Sequence, residues 1–135
     1  MSLRPDLVEC WVFRVTEARG LEILLIRRAS DRIFPGLWQC VTGGLNAGER
    51  VSLAALRELE EETGFGPGDV VAAYDLDQVA PFHDDGADAV VVSAIFAARI
   101  RPDAVERISR EHDGARWVPR VEARHLAVCP SYGES

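Results

Sequence analysis

The interpretation of this chain depends on the stretch Gly43-Gly44-Leu45-Asn46-Ala47-Gly48-Glu49 and, after seven intervening residues, Arg57-Glu58-Leu59-Glu60-Glu61-Glu62-Thr63-Gly64-Phe65. A glycine turn leads into a helix that we predict over residues 50–63, with Gly64 as its C-terminal cap. The helix places four glutamates within five positions near its C-terminal end, where the helix dipole disfavours negative charge. A divalent cation that neutralises the carboxylates would explain this arrangement.

A helical wheel at about 100° per residue separates the charged and apolar side chains of this helix. Glu58, Glu61 and Glu62 share one face. The opposite face carries the leucines Leu53, Leu56 and Leu59, which we predict to pack on the core. Arg57 precedes Glu61 by four residues, a spacing that favours an ion pair. A solvated acidic helix face is the alternative, but such a surface usually interleaves lysine, which this helix lacks.

The type of ligand indicates which cation the helix binds. Carboxylate oxygens without clustered histidine or cysteine favour Mg²⁺, with Mn²⁺ as a substitute, over zinc. Magnesium held by carboxylates commonly completes its coordination with water and substrate phosphates. Gly43 and Gly44 allow a tight turn whose backbone can approach the ion or a phosphate closely.

Composition limits the classes of protein that fit. A chain of 135 residues with 47% apolar and 27% charged residues is predicted to form a single globular domain over residues 1–135. The net charge of −7 argues against a nucleic-acid polymer as partner, because binding its backbone requires a basic face. We find no membrane-spanning run and no apolar signal core, so we expect a cytoplasmic protein. The three cysteines have no metal-binding spacing and are expected to be buried thiols.

The hydrophobic pattern predicts an α/β (α+β) fold, in which helices cover a mixed β-sheet. Apart from the glutamate-rich helix, we predict a weak final helix over residues 121–128. Residues 80–87 are predicted to form a polar loop, and residues 89–100 a central strand buried on both faces. The other predicted strands cover residues 8–15, 21–28, 38–42, 70–79 and 115–118.

The segment from Gly43 to Phe65 resembles the Nudix box, in which glycine, glutamate and an Arg-Glu-apolar-any-Glu-Glu-any-Gly-apolar run have fixed spacing. All nine specified positions are present over 23 residues, which makes the match highly specific. The approach to the box through Trp38, and the later Glu111-His112 followed by Trp117, are similar to bacterial dihydroneopterin and nucleoside triphosphate pyrophosphatases. The family has an α/β/α sandwich fold.

The resemblance implies a Mg²⁺-dependent hydrolase that cleaves a diphosphate linkage by attack of a metal-activated water on phosphorus. It assigns the metal to the carboxylates of Glu58, Glu61 and Glu62 and to the backbone carbonyl of Gly43. Arg57 would orient a carboxylate. The general base is left open between Glu61, Glu58 and the later Glu111. Glu49 is also explained by its place at the start of the helix, where the dipole favours a carboxylate.

The resemblance implies that the substrate is a small nucleotide, and the similarity around Trp38 favours a nucleoside or pterin triphosphate. Arg27 and Arg28 are candidates for phosphate contacts, although on an alternating strand only one of them can face the site. Trp38 could stack on the base, and Gly44 could contact phosphate. Dinucleoside polyphosphates and ADP-ribose-type compounds stay open as substrates, as do a non-catalytic nucleotide-binding module, an isoprenyl diphosphate isomerase and a homodimeric state.

Overall fold

The computed structural model describes residues 3–30 and 36–126. It contains seven strands and two helices, and the order along the chain follows the prediction from the hydrophobic pattern. The elements are β1 (Leu7–Thr16), β2 (Gly20–Arg28), β3 (Trp38–Gln39), β4 (Val41–Gly44), α1 (Val51–Thr63), β5 (Val70–Asp84), β6 (Ala89–Ile100), β7 (His112–Pro119) and α2 (Arg120–Leu126). The final helix therefore begins one residue earlier than predicted, and Val128 lies outside the described residues.

The sheet is mixed, with the order β3-β2-β1-β6-β5, while β4 pairs with β1 and β7 pairs with β2. Strands β1 and β6 are parallel, and the other pairs are antiparallel. Helix α1 packs on β1 and β4, whereas α2 packs on β2 and β7. Because successive strand residues point to opposite faces, Leu24 joins the core under α1 and its neighbour Leu25 joins the core under α2. The fold is thus the expected α/β/α sandwich.

Strand β5 is longer than the sequence suggested, and the prediction of a loop over residues 80–87 was wrong. Residues Val79 to Asp84 pair one by one with Ala94 to Ala89 of β6, and the turn follows only after Asp84. Pro81 is tolerated because β5 is an edge strand, where its missing N–H breaks no ladder. The hairpin extends past the helices, so Val90 is 66% exposed and the first residues of β6 are not buried on both faces.

Helix α1 has Gly64 as its C-terminal cap, as predicted, with φ at 80° and its N–H donating to the Glu60 carbonyl at 2.9 Å. The predicted leucine face was wrong. Leu59 is fully buried, but Leu53 is 57% exposed and Leu56 is 36% exposed. The helix packs instead through Ala54, Ala55 and Leu59, because small residues on that side allow its backbone to approach the sheet closely.

Cys10 and Cys40 are buried, in agreement with the prediction, and Cys129 lies outside the described residues. Burial raises the pKa of the Cys10 thiol to about 12, which makes it a poor nucleophile. In the described part of the chain, neither helix is long and apolar enough to cross a membrane.

Candidate active site

The C-terminal end of α1 is joined to the loop that precedes β7. The backbone N–H of Arg107 donates to the carbonyl of Thr63 at 2.6 Å, and the N–H of Ser109 donates to the carbonyl of Glu62 at 3.1 Å. These bonds satisfy carbonyls that have no partner within the helix itself. They also bring Glu111 and the start of β7, which follows it, beside the helix carboxylates.

Glu62 is the most deeply buried glutamate of the helix, with 3% of the residue exposed. Burial is the main cause that raises its pKa to about 10, and a hydrogen bond with Glu58 adds to the shift. The negative charge of Glu111 also raises the pKa, whereas the positive charge of Arg28 opposes it. The Oε2 atom of Glu62 is buried and accepts no hydrogen bond from the described residues.

Glu58 lies directly against the glycine turn. A methyl group at Gly43 would overlap the carboxyl carbon of Glu58, so only glycine leaves room for this side chain. Glu58 is held in place by Arg57, whose Nη1 donates to its Oε1 at 2.8 Å. The turn and the helix therefore meet at one carboxylate, and the backbone of Gly43 lies next to it.

Arg57 connects five acceptors around the turn and the helix. Its Nε and Nη2 donate to the two carboxylate oxygens of Glu49 at 2.8 and 3.0 Å, and Nη2 also donates to the Gly44 carbonyl at 2.9 Å. Its Nη1 reaches Glu58 and, at 3.2 Å, Glu61, which confirms the predicted pair. The contacts with Glu49 raise the pKa of Arg57 above its ordinary value, which keeps it charged.

Glu49 has a different structural role from the one its position suggested. The helix begins at Val51, and Glu49 lies before it, outside the first turn where the dipole acts. Its carboxylate accepts from Arg57 and from the backbone N–H of Asn46 at 3.0 Å. These hydrogen bonds, first from Arg57 and then from Asn46, lower the pKa of Glu49 to about 2. Glu49 therefore anchors Arg57 to the turn.

Three side chains, from α1, from the turn before β7 and from β7 itself, meet at the buried end of this region. Glu62, Glu111 and His112 each offer a ligand atom, and these atoms lie within 4.8 Å of one another. Glu62 and His112 are buried, while Glu111 is exposed. Gln39 lies behind them, with its amide Nε2 at 3.1 Å from the His112 Nε2. Sequence reasoning left His112 unassigned, because the strand register that turns it toward α1 cannot be read from the chain.

Arg27 and Arg28 point to opposite faces of β2. Arg28 lies on the α1 side, where its charge acts on Glu62. Arg27 pairs with Asp113 through its Nε at 2.7 Å, and its guanidinium carbon lies 5.5 Å from the centre of the Trp38 ring. Arg27 and Trp38 thus lie on the α2 side of the sheet, away from the glutamates of α1. The structure brings Glu58, Glu61, Glu62, Glu111, Arg57, Arg28, Gly43 and Gly44 together.

The carboxylates fit a divalent cation on two observations from this structure. Glu62 has a buried oxygen that accepts no hydrogen bond from the described residues, and Gly43 lacks the side chain that would displace Glu58. The side chains of Glu58 and Glu61 are 14% and 58% exposed, so a ligand can reach this edge from solvent. Oxygen ligands in such a setting suit a hard divalent ion.

The sequence profile of the NUDIX domain matches residues 7–133 of this chain. The chain belongs to the NUDIX domain family. An octanoyltransferase of Myxococcus xanthus is 43% identical over 108 residues, which cover 77% of this chain and 29% of that protein. The nucleoside triphosphatase NudI of Escherichia coli is 48% identical over 42 residues, 30% of each chain. The matched segments thus cover less than a third of each of these curated relatives.

Solved structures of NUDIX proteins share the fold over almost the whole chain. A Listeria monocytogenes protein assigned to the NUDIX hydrolases superposes with a TM-score of 0.77 at 26% identity, covering 97% of this chain and 88% of that one. The E. coli dihydroneopterin triphosphate pyrophosphohydrolase gives 0.78 at 20% identity, and a Caenorhabditis elegans Ap4A hydrolase gives 0.78 at 18%. Each of these two matches covers 97% of this chain and 91% of the other. The NUDIX assignment therefore rests on sequence and fold together.

Proposed function

We propose that this NUDIX domain, spanning residues 1–135, is a hydrolase that cleaves the diphosphate linkage of a nucleoside or pterin triphosphate with Mg²⁺. One observation carries the proposal. The buried oxygen of Glu62 that accepts no hydrogen bond from the described residues lies beside Glu58, which itself packs on Gly43. Burial of a carboxylate beside other carboxylates raises the free energy of the folded protein. A bound cation would offset this cost, whereas a solvated acidic helix face would not require such burial.

The metal is assigned to the carboxylates of Glu58, Glu61 and Glu62 and to the carbonyl of Gly43. A cation bound there would neutralise charge at the diphosphate and would lower the pKa of the attacking water. Glu61 is the proposed general base, because its side chain is 58% exposed and reaches solvent at the edge of the site. Glu111 is the second candidate for this role, since it lies within 4.8 Å of Glu62.

Arg57 is a positioning residue in this scheme. It fixes the carboxylates of Glu58 and Glu61 through Nη1 and holds the turn through Glu49 and the Gly44 carbonyl. Because a guanidinium fork makes two parallel bonds to one carboxylate, lysine cannot reproduce the arrangement. We expect these contacts of Arg57 to hold the glycine turn and α1 at a fixed distance while negative charge develops on the substrate.

The two arginines of β2 differ in their access to the proposed metal site. Arg28, on the α1 side, is the better placed of the two to contact a phosphate near Glu62. Gly44 presents backbone at the turn. Trp38 and Arg27 pack on the α2 side of the sheet, away from the proposed metal ligands, so we do not assign them a contact with the substrate. The 42-residue segment shared with the nucleoside triphosphatase NudI supports a triphosphate substrate.

A panel of nucleoside triphosphates, dihydroneopterin triphosphate, diadenosine tetraphosphate and ADP-ribose, assayed with Mg²⁺ and with products identified by mass, tests the proposal. We expect a triphosphate to be hydrolysed fastest. Glu61→Gln and Glu62→Gln should lose turnover while they keep the wild-type circular dichroism spectrum. Glu60→Gln is the matched control, because Glu60 is exposed on the same helix and outside the cluster. Full activity in both glutamate variants would refute the site, and fastest turnover of diadenosine tetraphosphate would refute the substrate class.

A further inference from the structure

The separation between His112 and Glu62 does not match a hydrogen bond. The His112 Nε2 lies 3.7 Å from the Glu62 Oε1, and both side chains are almost completely buried. A hydrogen bond between nitrogen and oxygen needs about 2.7–3.2 Å. Two ligand atoms that each lie about 2.1–2.2 Å from one cation, at about 90–120° to each other, are about 3.0–3.8 Å apart. The observed distance therefore fits two ligands of one ion.

The orientation of the imidazole is consistent with this reading. The Nε2 atom of His112 is 3.1 Å from the amide Nε2 of Gln39. With the Gln39 amide in this orientation its Nε2 donates, and the His112 Nε2 then accepts with its lone pair. A lone pair on a neutral ring nitrogen is what a metal requires from histidine. Gln39 is then a competing donor to the same atom.

The remaining ligands come from both sides of the junction between α1 and β7. Glu62 contributes from the helix, and Glu111 contributes from the turn directly before β7, with ligand atoms that lie within 4.8 Å of one another and of His112. Independent support comes from the buried Oε2 of Glu62, which accepts no hydrogen bond from the described residues. A carboxylate buried to this degree is normally satisfied by a hydrogen bond or an ion.

We infer that His112 is a nitrogen ligand that holds a divalent cation together with Glu62 and Glu111. The inference rests on the proposed metal-dependent function but adds a donor that the helix carboxylates do not supply. One imidazole and two carboxylates suit Mn²⁺, Co²⁺ or Zn²⁺ better than an all-oxygen site does. Because Glu62 and His112 are buried, this ion is expected to bind without nucleotide.

Electron spin echo envelope modulation of the Mn²⁺-loaded protein tests the inference without substrate and without activity. The chain has three histidines, so the protein is prepared with natural histidine and with ring-¹⁵N histidine. We expect a directly coordinated ¹⁴N signal in the first sample and its replacement by a ¹⁵N signal in the second. His83→Gln and His125→Gln are matched controls, because both histidines are exposed, and they should keep the ¹⁴N signal.

Two variants of the buried pair separate coordination from packing. His112→Gln is expected to lose the ¹⁴N signal and to weaken Mn²⁺ binding by about tenfold or more in a calorimetric titration. Gln39→Leu removes the competing donor and should bind Mn²⁺ at least as tightly as the wild type. If Mn²⁺ affinity fell equally in both variants, the loss would be explained by altered packing, and the inference would be overturned.

The outcomes also separate this inference from the proposed function. A wild-type protein that binds Mn²⁺ and hydrolyses a triphosphate, but shows no histidine nitrogen on the metal, would overturn the role of His112 and leave the hydrolase intact. A nitrogen signal without turnover of any substrate would support His112 and refute the hydrolase. Absence of Mn²⁺ binding would overturn both.

Discussion

Arg57 donates two parallel hydrogen bonds to the carboxylate of Glu49, from Nε to Oε2 at 2.8 Å and from Nη2 to Oε1 at 3.0 Å. The pair joins the glycine turn to the second turn of α1. The same guanidinium contacts Glu58 and Glu61, so the orientation of two proposed metal ligands depends on one contact between turn and helix.

Replacing Arg57 by lysine should therefore impair the site more than the fold. Lysine keeps the charge but cannot make the parallel bonds to Glu49 while it also reaches Glu58. We expect kcat/KM to fall by about 10- to 100-fold and the Mg²⁺ concentration for half-maximal rate to rise. Arg50→Lys, at an exposed arginine without a side-chain capping bond, is the control. Kinetics of Arg57→Lys within twofold of the wild type would contradict the role.

Gly43→Ala should displace Glu58, because the added methyl group occupies the position of the Glu58 carboxyl carbon. The side chain can move, so we expect the protein to fold, with Mg²⁺ affinity reduced by about tenfold. Titration of the Mg²⁺-dependent rate measures the effect. Gly68→Ala serves as control, since no atom lies within 4 Å of its added methyl group. An unchanged Mg²⁺ requirement in Gly43→Ala would show that Glu58 does not hold the ion.

The stability of the metal-free protein should depend on Glu62. Its pKa rises from 4.5 to about 10 in the folded chain, so the folded state holds this proton more tightly than the unfolded state does. The resulting stabilisation is complete below about pH 4.5 and is lost as the pH rises toward 10. In EDTA, the melting temperature of the wild type should fall between pH 5 and 9 more steeply than that of Glu62→Gln. Glu60→Gln should follow the wild type, and parallel curves for the wild type and Glu62→Gln would exclude this coupling.

The packing face of α1 can be tested by two leucine substitutions. Leu59 is fully buried, so Leu59→Ala should lower the free energy of unfolding by about 2–5 kcal/mol. Leu53 is 57% exposed, and Leu53→Ala should change it by no more than about 0.5 kcal/mol. Urea denaturation of both variants gives the comparison. Similar losses would mean that the leucine face predicted from the wheel, rather than the alanine-lined face, contacts the sheet.

The helix and its neighbouring strands could be predicted from the sequence because their signals are local. A glycine after the helical pattern predicts the helix end, because glycine readily adopts the positive φ observed at Gly64. The spacing of four residues between Arg57 and Glu61 predicts their contact directly. The face of the helix could not be predicted in the same way. Leucines outrank alanines on any hydrophobicity scale, yet the close approach of α1 to the sheet favours Ala54 and Ala55.

The positions of Glu111 and His112 beside Glu62 could not be predicted from the sequence, because they depend on contacts between residues that are distant along the chain. Glu111 was predicted from a family resemblance, but its proximity to Glu62 depends on the backbone bonds that Arg107 and Ser109 donate to the end of α1. The position of His112 depends on how β7 pairs with β2. Such pairings are fixed by tertiary contacts and leave no pattern in the neighbouring residues.

The pairing of β2 with β7 is irregular between Arg27 and Arg28, where Gly114 lies opposite Arg27 and His112 lies opposite Arg28. Asp113 is the extra residue, and it turns to the other face to meet Arg27. The site therefore depends on the number of residues between His112 and Trp117 as well as on their identity. A single deletion there would bring a different side chain opposite Arg28, whereas a substitution of the exposed Arg116 in the same segment would keep His112 in place.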